Sequence, residues 1–483
     1  MTVPKSFIVH FSKLERWDSP QTPTSDSFLY PVACLGDIAE IRLGTQVPRK
    51  GAQGSGTDVP YLRAANVQRG YLSLASVKSM RVSPDTVERL ELSPDDVLFV
   101  EGNSREEVGR SAVWTDSNKQ MIIQNSIVRA RLTSENVLPE FVSTWFNSDA
   151  GGTYIRDQAT TTTGSLWHIG AGKLASAPLP IPPVNIQREL VATYSETLSR
   201  SDKAKQAAAS IYSASWKQFI SQLVTTKEAS IAIGKANAVR FSSLERWDTL
   251  EAPTILSSAY PVACLGDIAE IRLGTQVPRK GAQGSGTDVP YLRAANVQRG
   301  YLSLASVKSM RVSPDTVERL ELSPDDVLFV EGNSREEVGR SAVWTDSNKQ
   351  MIIQNSIVRA RLTSENVLPE FVSTWFNSDA GGTYIRDQAT TTTGSLWHIG
   401  AGKLASAPLP IPPLEAQRSL VRDLKSGLKT ASAAESDSIK IRDEAELDLR
   451  NALIQARPNA KLHNPAEFKD RARRGILPSA TQQ

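Results

Sequence analysis

The chain has 483 residues, a formal net charge of +3, 40% hydrophobic and 22% charged residues, which is the balance of a globular protein of two to four domains. No run of eighteen or more apolar residues occurs, and the N-terminus MTVPKSFIVHFSKLERWD lacks the long apolar region and cleavage site of a secretory signal, so a membrane-spanning helix is excluded and a cytoplasmic location expected. So small a net charge gives no nucleic-acid-binding surface by composition alone; any such surface must come from local segregation of charge.

Self-similarity dominates the chain. Residues 30–183 recur letter for letter as 260–413, an offset of 230. Outside this block the likeness continues only in part: FSKLERWD at 11–18 faces FSSLERWD at 241–248, and Gln187-Arg188 and Leu190-Val191 face Gln417-Arg418 and Leu420-Val421. A single duplication of the whole unit would leave flanks and centre equally alike, so the central block is read as a cassette copied into both positions; an engineered duplication would look the same. Each cassette holds 15 Lys and Arg against 16 Asp and Glu. The only two cysteines, Cys34 and Cys264, take equivalent places in apolar runs and are expected to be buried, reduced thiols.

Within the cassette, 32–43 (VACLGDIAEIRL), 97–100 (VLFV) and 122–132 (IIQNSIVRARL) are rich in β-branched residues and are predicted strands. Apolar spacing of three and four from Leu138 predicts a short helix closed by Gly151-Gly152. APLPIPP is predicted to be extended, because proline fixes its own φ and biases its neighbour away from helix. Next, Ile186, Leu190, Tyr194 and Leu198 recur every four residues, and Ile211, Trp216, Phe219, Ile220 and Leu223 resume the stripe, predicting one amphipathic helix of about forty residues. A second, less regular stripe runs through Leu420, Leu424, Leu428, Ile439, Ile441, Leu447, Leu449 and Leu453. Two such helices most simply pair antiparallel. The expected fold is α+β: two mixed α/β domains (1–183, core 30–183; 231–413, core 260–413) with two long antiparallel helices (184–230; 414–456), a pseudo-two-fold repeat, and a basic tail (457–483) carrying six cations against two acids.

Catalytic patterns are absent. His10, His168, His398 and His463 form no metal-ligand spacing, and Gly172-Lys173 lacks the first glycine and the final Ser or Thr of a phosphate loop. No G-x-S-x-G elbow occurs, and the Gly51, Gly54, Gly56 loop follows no dinucleotide-binding pattern. Asp95-Asp96 and Glu106-Glu107 read as solvated surface acids. The chain reads as a binder without catalytic, metal or cofactor residues of its own.

Three loops carry chemistry suited to nucleic acid, since Arg and Gln can make bidentate contacts to guanine and adenine edges while Lys and hydroxyls hold phosphate. The first, GTQVPRKGAQGSGT, offers Thr45, Gln46, Arg49, Lys50 and Gln53, repeated as Thr275, Gln276, Arg279, Lys280 and Gln283. EGNSREEVGR offers Asn103, Ser104, Arg105 and Arg110, repeated as Asn333, Ser334, Arg335 and Arg340; its plain alternative is a turn with arginine paired to glutamate. TTTTGSLWHIG offers Thr162, Thr163, Ser165, Trp167 and His168, repeated as Thr392, Thr393, Ser395, Trp397 and His398; a tryptophan in a turn is more often a packing anchor.

The succession RWD, CLGDIAEIRLGTQ, PYLRAANVQRGYL, LSPDDVLFVEGNS, GRSAV, IIQNSIVRARL, LPEFVSTWFNS and TTTTGSLWHIGAGKLASAPLPIPPVNIQREL, nearly all of it present twice, resembles type I restriction-modification specificity (S) subunits. The resemblance implies two target recognition domains, each clasping half of a bipartite double-stranded DNA site, held apart by the long helices. It implies docking of two copies of a modification methyltransferase that binds S-adenosylmethionine, with Leu190, Leu198, Trp216, Leu420, Leu424 and Leu428 as partner-binding positions, and a restriction subunit that can join. A flipped adenine would then enter the partner's pocket. Identical domains in inverted orientation should read the same half-site on opposite strands, an interrupted palindrome. A specificity subunit of a type IIB or other phage-defence system, and a repeat-built protein scaffold, are the alternatives.

Overall fold

The computed structural model describes residues 28–48, 56–161, 164–225, 258–278, 286–391 and 394–454. The predicted features at 1–27, in the 226–257 segment and in the basic tail lie outside them. The chain forms two compact units: Met1–Ala204 with Ser436–Gln483, and Lys205–Glu435.

In the first unit, β1 (Val32–Cys34), α1 (Leu35–Ile38) and β2 (Ala39–Leu43) open the fold. The predicted single strand over 32–43 is therefore broken: the Asp37 carboxylate accepts the Cys34 amide at 3.2 Å and turns the chain through one helical turn. β3 (Thr57–Leu62), β4 (Lys78–Val82), α2 (Pro84–Leu90), β5 (Val97–Val100), β6 (Gly102–Asn103) and β7 (Ser111–Val113) follow. The predicted strand over 122–132 is also two, β8 (Ile122–Ile123) and β9 (Ile127–Leu132), parted where Gln124 leaves to bridge Thr45.

β2, β9, β5 and β7 make an antiparallel sheet in that order, and β4, β3 and β8 a mixed one, with β8 parallel to β3. Val97 and Phe99 of β5 enter one apolar core while Leu98 and Val100 enter another, which is why VLFV is continuously apolar: both faces are covered. Arg129 of β9 is 2% exposed and donates to the Glu91 carbonyl at 2.9 Å; burial lowers its pKa. Neighbouring Arg131 holds Asp96 through two bonds of 2.8 Å, so Asp96 is a fully buried ion-pair partner and not the solvated acid expected.

The helix predicted from Leu138 is two: α3 (Pro139–Asn147) and α4 (Asp149–Gln158), with Ser148 capping α4 through the Gly151 amide at 3.2 Å. Gly151 and Gly152 thus lie inside α4 and do not close a helix. A Cβ on Gly151 would stand 2.1 Å from the Trp145 carbonyl oxygen, so glycine permits the close turn between the helices. β10 (Thr160–Thr161), β11 (Trp167–His168), α5 (Ala171–Ala175) and β12 (Pro178–Pro180) complete the cassette, and β12 pairs with β1. The second unit repeats these elements 230 residues later, with an added two-residue pair at Val297–Gln298 and Tyr301–Leu302.

The first long helix, α6, spans Val184–Leu223, and its counterpart spans Leu414–Leu453, each of 40 residues as the apolar stripes predict. In the first unit they run antiparallel: the Tyr194 hydroxyl donates to Glu446 at 2.6 Å and Ser201 to the Ser438 carbonyl at 2.8 Å. Gln187, fully buried, joins α6 to the cassette. Its side-chain oxygen accepts the Leu138 amide at 2.9 Å, and its nitrogen donates to the Asn136 and Pro182 carbonyls at 2.8 and 2.7 Å. Gln417 does the same in the second unit. Contrary to the expectation of two buried thiols, Cys264 is exposed; Cys34 is half-buried, and its thiol is pushed up to about 11 by burial and by Asp37.

Candidate nucleic-acid interface

The three loops singled out by sequence meet along one hydrogen-bonded row. Thr45 donates its amide to the Ile123 carbonyl at 3.1 Å and accepts from Asn125 at 2.9 Å. One residue on, Ser126 accepts the Glu101 amide at 2.8 Å, and Glu101 in turn accepts from Ile169 at 2.9 Å. Backbone pairing therefore draws the starts of the first and second loops and the end of the third to the same edge, in both units. Gln46 and Gln276 are exposed there. Arg49, Lys50, Gln53, Thr162, Thr163 and their counterparts Arg279, Lys280, Gln283, Thr392 and Thr393 lie outside the described residues.

The second and third loops combine in a small antiparallel sheet ordered β10, β11, β6, with Trp167 opposite Asn103 and His168 opposite Gly102. Directly opposed residues share a face. Trp167 and Ile169 turn toward the core, where Ile169 is fully buried and Trp167 packs against the cluster. His168 takes the other face, with a side chain 40% exposed. Trp167 thus anchors the turn, and Arg105 lies 5.2 Å from its ring centroid, with Asp157 3.9 Å from the guanidinium. Asn103 accepts the Ser104 amide at 2.8 Å, and the Ser104 carbonyl accepts those of Glu107 and Val108. Ser165 is exposed beside Gly164, which has φ +78° and donates to the Thr161 hydroxyl at 2.9 Å.

Arg110 does not join this group. Its guanidinium donates to the Val67 and Ala64 carbonyls at 2.7 and 2.8 Å and to Glu107 at 2.9 Å, leaving 11% of the side chain exposed. Arg340 repeats the contacts to Ala294 and Glu337. Both are structural ties, so the proposed DNA-contacting role at this position is corrected. The helical positions assigned to partners are likewise occupied within the chain: Leu420 and Leu424 are buried in the second unit's core, Trp216 and Leu428 pack against it, and Leu190 and Leu198 pack against the first.

Sequence reasoning passed over Glu101. Its carboxylate meets His168 Nδ1 at 2.9 Å, and Glu331 meets His398 identically. The signal was the glycine that follows: a Cβ at Gly102 would sit 2.8 Å from the imidazole, so only glycine lets the ring lie there. Among the described residues, no group of three or more His, Cys, Asp or Glu is arranged to hold a metal ion, and no helix is long and apolar enough to cross a membrane.

No protein-family model matches the chain. In fold, it is similar over 88% of its length to 97% of a chain solved in a study of complex assembly and conformational transition of the type I R-M system, with a TM-score of 0.55 and 16% identity. The two share a fold. In sequence, 110 residues (23% of the chain) are 24% identical to the type I restriction enzyme EcoEI specificity subunit of Escherichia coli, a stretch that spans 18% of that relative's length. The HsdS subunit from Thermoanaerobacter tengcongensis also aligns, over 88% of this chain and 96% of its own, with a TM-score of 0.43 and 16% identity. The chain is thus similar in fold to a chain of the type I R-M system and in part of its sequence to a type I specificity subunit.

Proposed function

We propose that this chain is the non-catalytic specificity subunit of a type I restriction-modification complex, binding a bipartite site in double-stranded DNA and directing partner subunits to it. The observation that carries the reading is that backbone pairing draws together the described ends of the same three polar loops in each of the two units. Methyl transfer from S-adenosylmethionine belongs, in this reading, to two methyltransferase copies, and cleavage to restriction subunits. With both cassettes identical, each half-site carries the same bases on opposite strands.

Sequencing modified bases in host DNA tests this directly, the expected motif being an interrupted palindrome. Two unrelated halves would refute identical readers. In the purified complex, Arg49→Ala should relax one half-site and Arg49→Ala with Arg279→Ala both. Affinity should fall steeply with salt as phosphate contacts release counterions; a salt-independent complex would favour a protein scaffold.

A further inference from the structure

His168 is held by its neighbours in one place. Its ring lies on the backbone of Gly102, its Nδ1 is 2.9 Å from Glu101 Oε2, and the Glu101 carboxylate is itself only 20% exposed. Backbone pairing to β6 on one side and β10 on the other fixes the strand that carries it. An ionised carboxylate can only accept, so in the neutral imidazole the proton sits on Nδ1 and Nε2 is left as an acceptor. Nε2 has no hydrogen-bond partner among the described residues, on a side chain 40% exposed at the loop edge. His398, Glu331 and Gly332 reproduce the arrangement.

We infer that His168 and His398 are specificity-determining residues, each accepting a hydrogen bond through Nε2 from an exocyclic amino group in the major groove, and that Glu101 and Glu331 are positioning residues that set the tautomer. The inference rests on the DNA-binding reading above. In the major groove only adenine N6 and cytosine N4 offer donors, while guanine and thymine present acceptors that repel a lone pair. One position in each half-site is therefore restricted to adenine or cytosine on the strand read. A phosphate, which only accepts, is not the ligand of a neutral ring held this way.

The test is selection of bound duplexes from a randomised library by the full-length chain at about pH 8.5, followed by sequencing. For the unaltered chain, one position per half-site should favour A or C by about tenfold, the cost of a single mismatched contact. His168→Ala with His398→Ala should abolish that preference and leave the others intact. Glu101→Gln with Glu331→Gln is conservative in shape, but an amide can donate or accept, so both tautomers become available and G or T should be admitted at that position alone. A role in structure only would move all positions together or none. Preferences unchanged at every position in the histidine variant, or a glutamine variant with the unaltered chain's A or C restriction, overturn the inference while leaving DNA binding standing. If the unaltered chain selects no sequence, the DNA reading itself fails, and this one with it.

Discussion

The two units carry the same 154-residue cassette, 30–183 and 260–413, yet dock it on unlike helix residues. In the first, Glu446 accepts from the Tyr194 hydroxyl at 2.6 Å and from the Asp149 amide at 2.7 Å. At the equivalent places, 230 residues away, the second has Trp216 and Leu424, with Trp216 packed edge-on against Phe219 at 5.9 Å. Between the helices the first unit keeps a groove of about 340 Å³ bordered by Leu190, Tyr194, Ala445 and Leu449. The matching groove, bordered by Leu420, Leu424, Ser215 and Phe219, is about 10 Å³. Phenylalanine for leucine and serine for alanine account for the filling. One cassette is therefore held on two supports, one polar and open, one apolar and closed, while the Gln187 and Gln417 bonds to main-chain groups are common to both.

The largest effect should come from the closed side. Phe219→Ala removes a side chain 2% exposed and should destabilise the second unit by about 3–5 kcal/mol. Leu449→Phe should fill the open groove and stabilise the first by about 1 kcal/mol. Hydrogen exchange resolved by unit measures both, and equal protection of the two units in the unaltered chain would weaken the contrast.

Acid should shift the balance between the units. Burial, opposed by the Tyr194 hydroxyl and Asp149 amide, raises the Glu446 pKa above its ordinary 4.5, while burial and then the Glu446 carboxylate push the Tyr194 hydroxyl upward. A carboxyl whose pKa is higher folded than unfolded binds its proton more tightly in the native state, so it adds stability as pH falls toward the ordinary value and loses it as pH rises through the folded value. Protection of the first unit's helix pair should therefore increase relative to the second's on mild acidification, and Glu446→Gln should flatten that trend. An unchanged pH trend in the variant would remove Glu446 as its source.

The smallest contrast lies at the cysteines. Phe28 packs on Trp145 at 5.9 Å at the first unit's entry, where the second has Ser258. With its thiol near 11, Cys34 holds only about 0.1% thiolate at pH 8, and thiolate is the reacting form. Alkylation followed by mass spectrometry should label exposed Cys264 first and Cys34 slowly; equal rates would erase this difference.

Much of this was legible in the sequence where one physical signal dominated. The stripe from Ile186 to Leu223 announced a helix because apolar residues every four positions have no other regular use. VLFV announced a strand, and its unbroken apolar run is explained by the cores on both its faces. What was illegible depended on single side chains acting across the fold. Asp37 turning 32–43, Ser148 splitting the helix pair, and Asp96 buried beneath Arg131 leave no periodic trace. At the candidate site, composition could not tell Arg110, consumed by carbonyls 43 and 46 residues away, from exposed Arg105. Nor could it find Glu101, whose role exists only because β11 lies beside β6.

Gln187 and Gln417 bear on how such a chain can change over generations. Each lies just beyond the identical block, and each grips it only through main-chain groups: one amide and two carbonyls. A joint that recognises backbone is blind to the side chains of whatever it holds. A domain presenting the same local main-chain path, with an apolar face to match the helix, would meet this glutamine with the same bonds, so the joint itself places few demands on the sequence of the unit it holds.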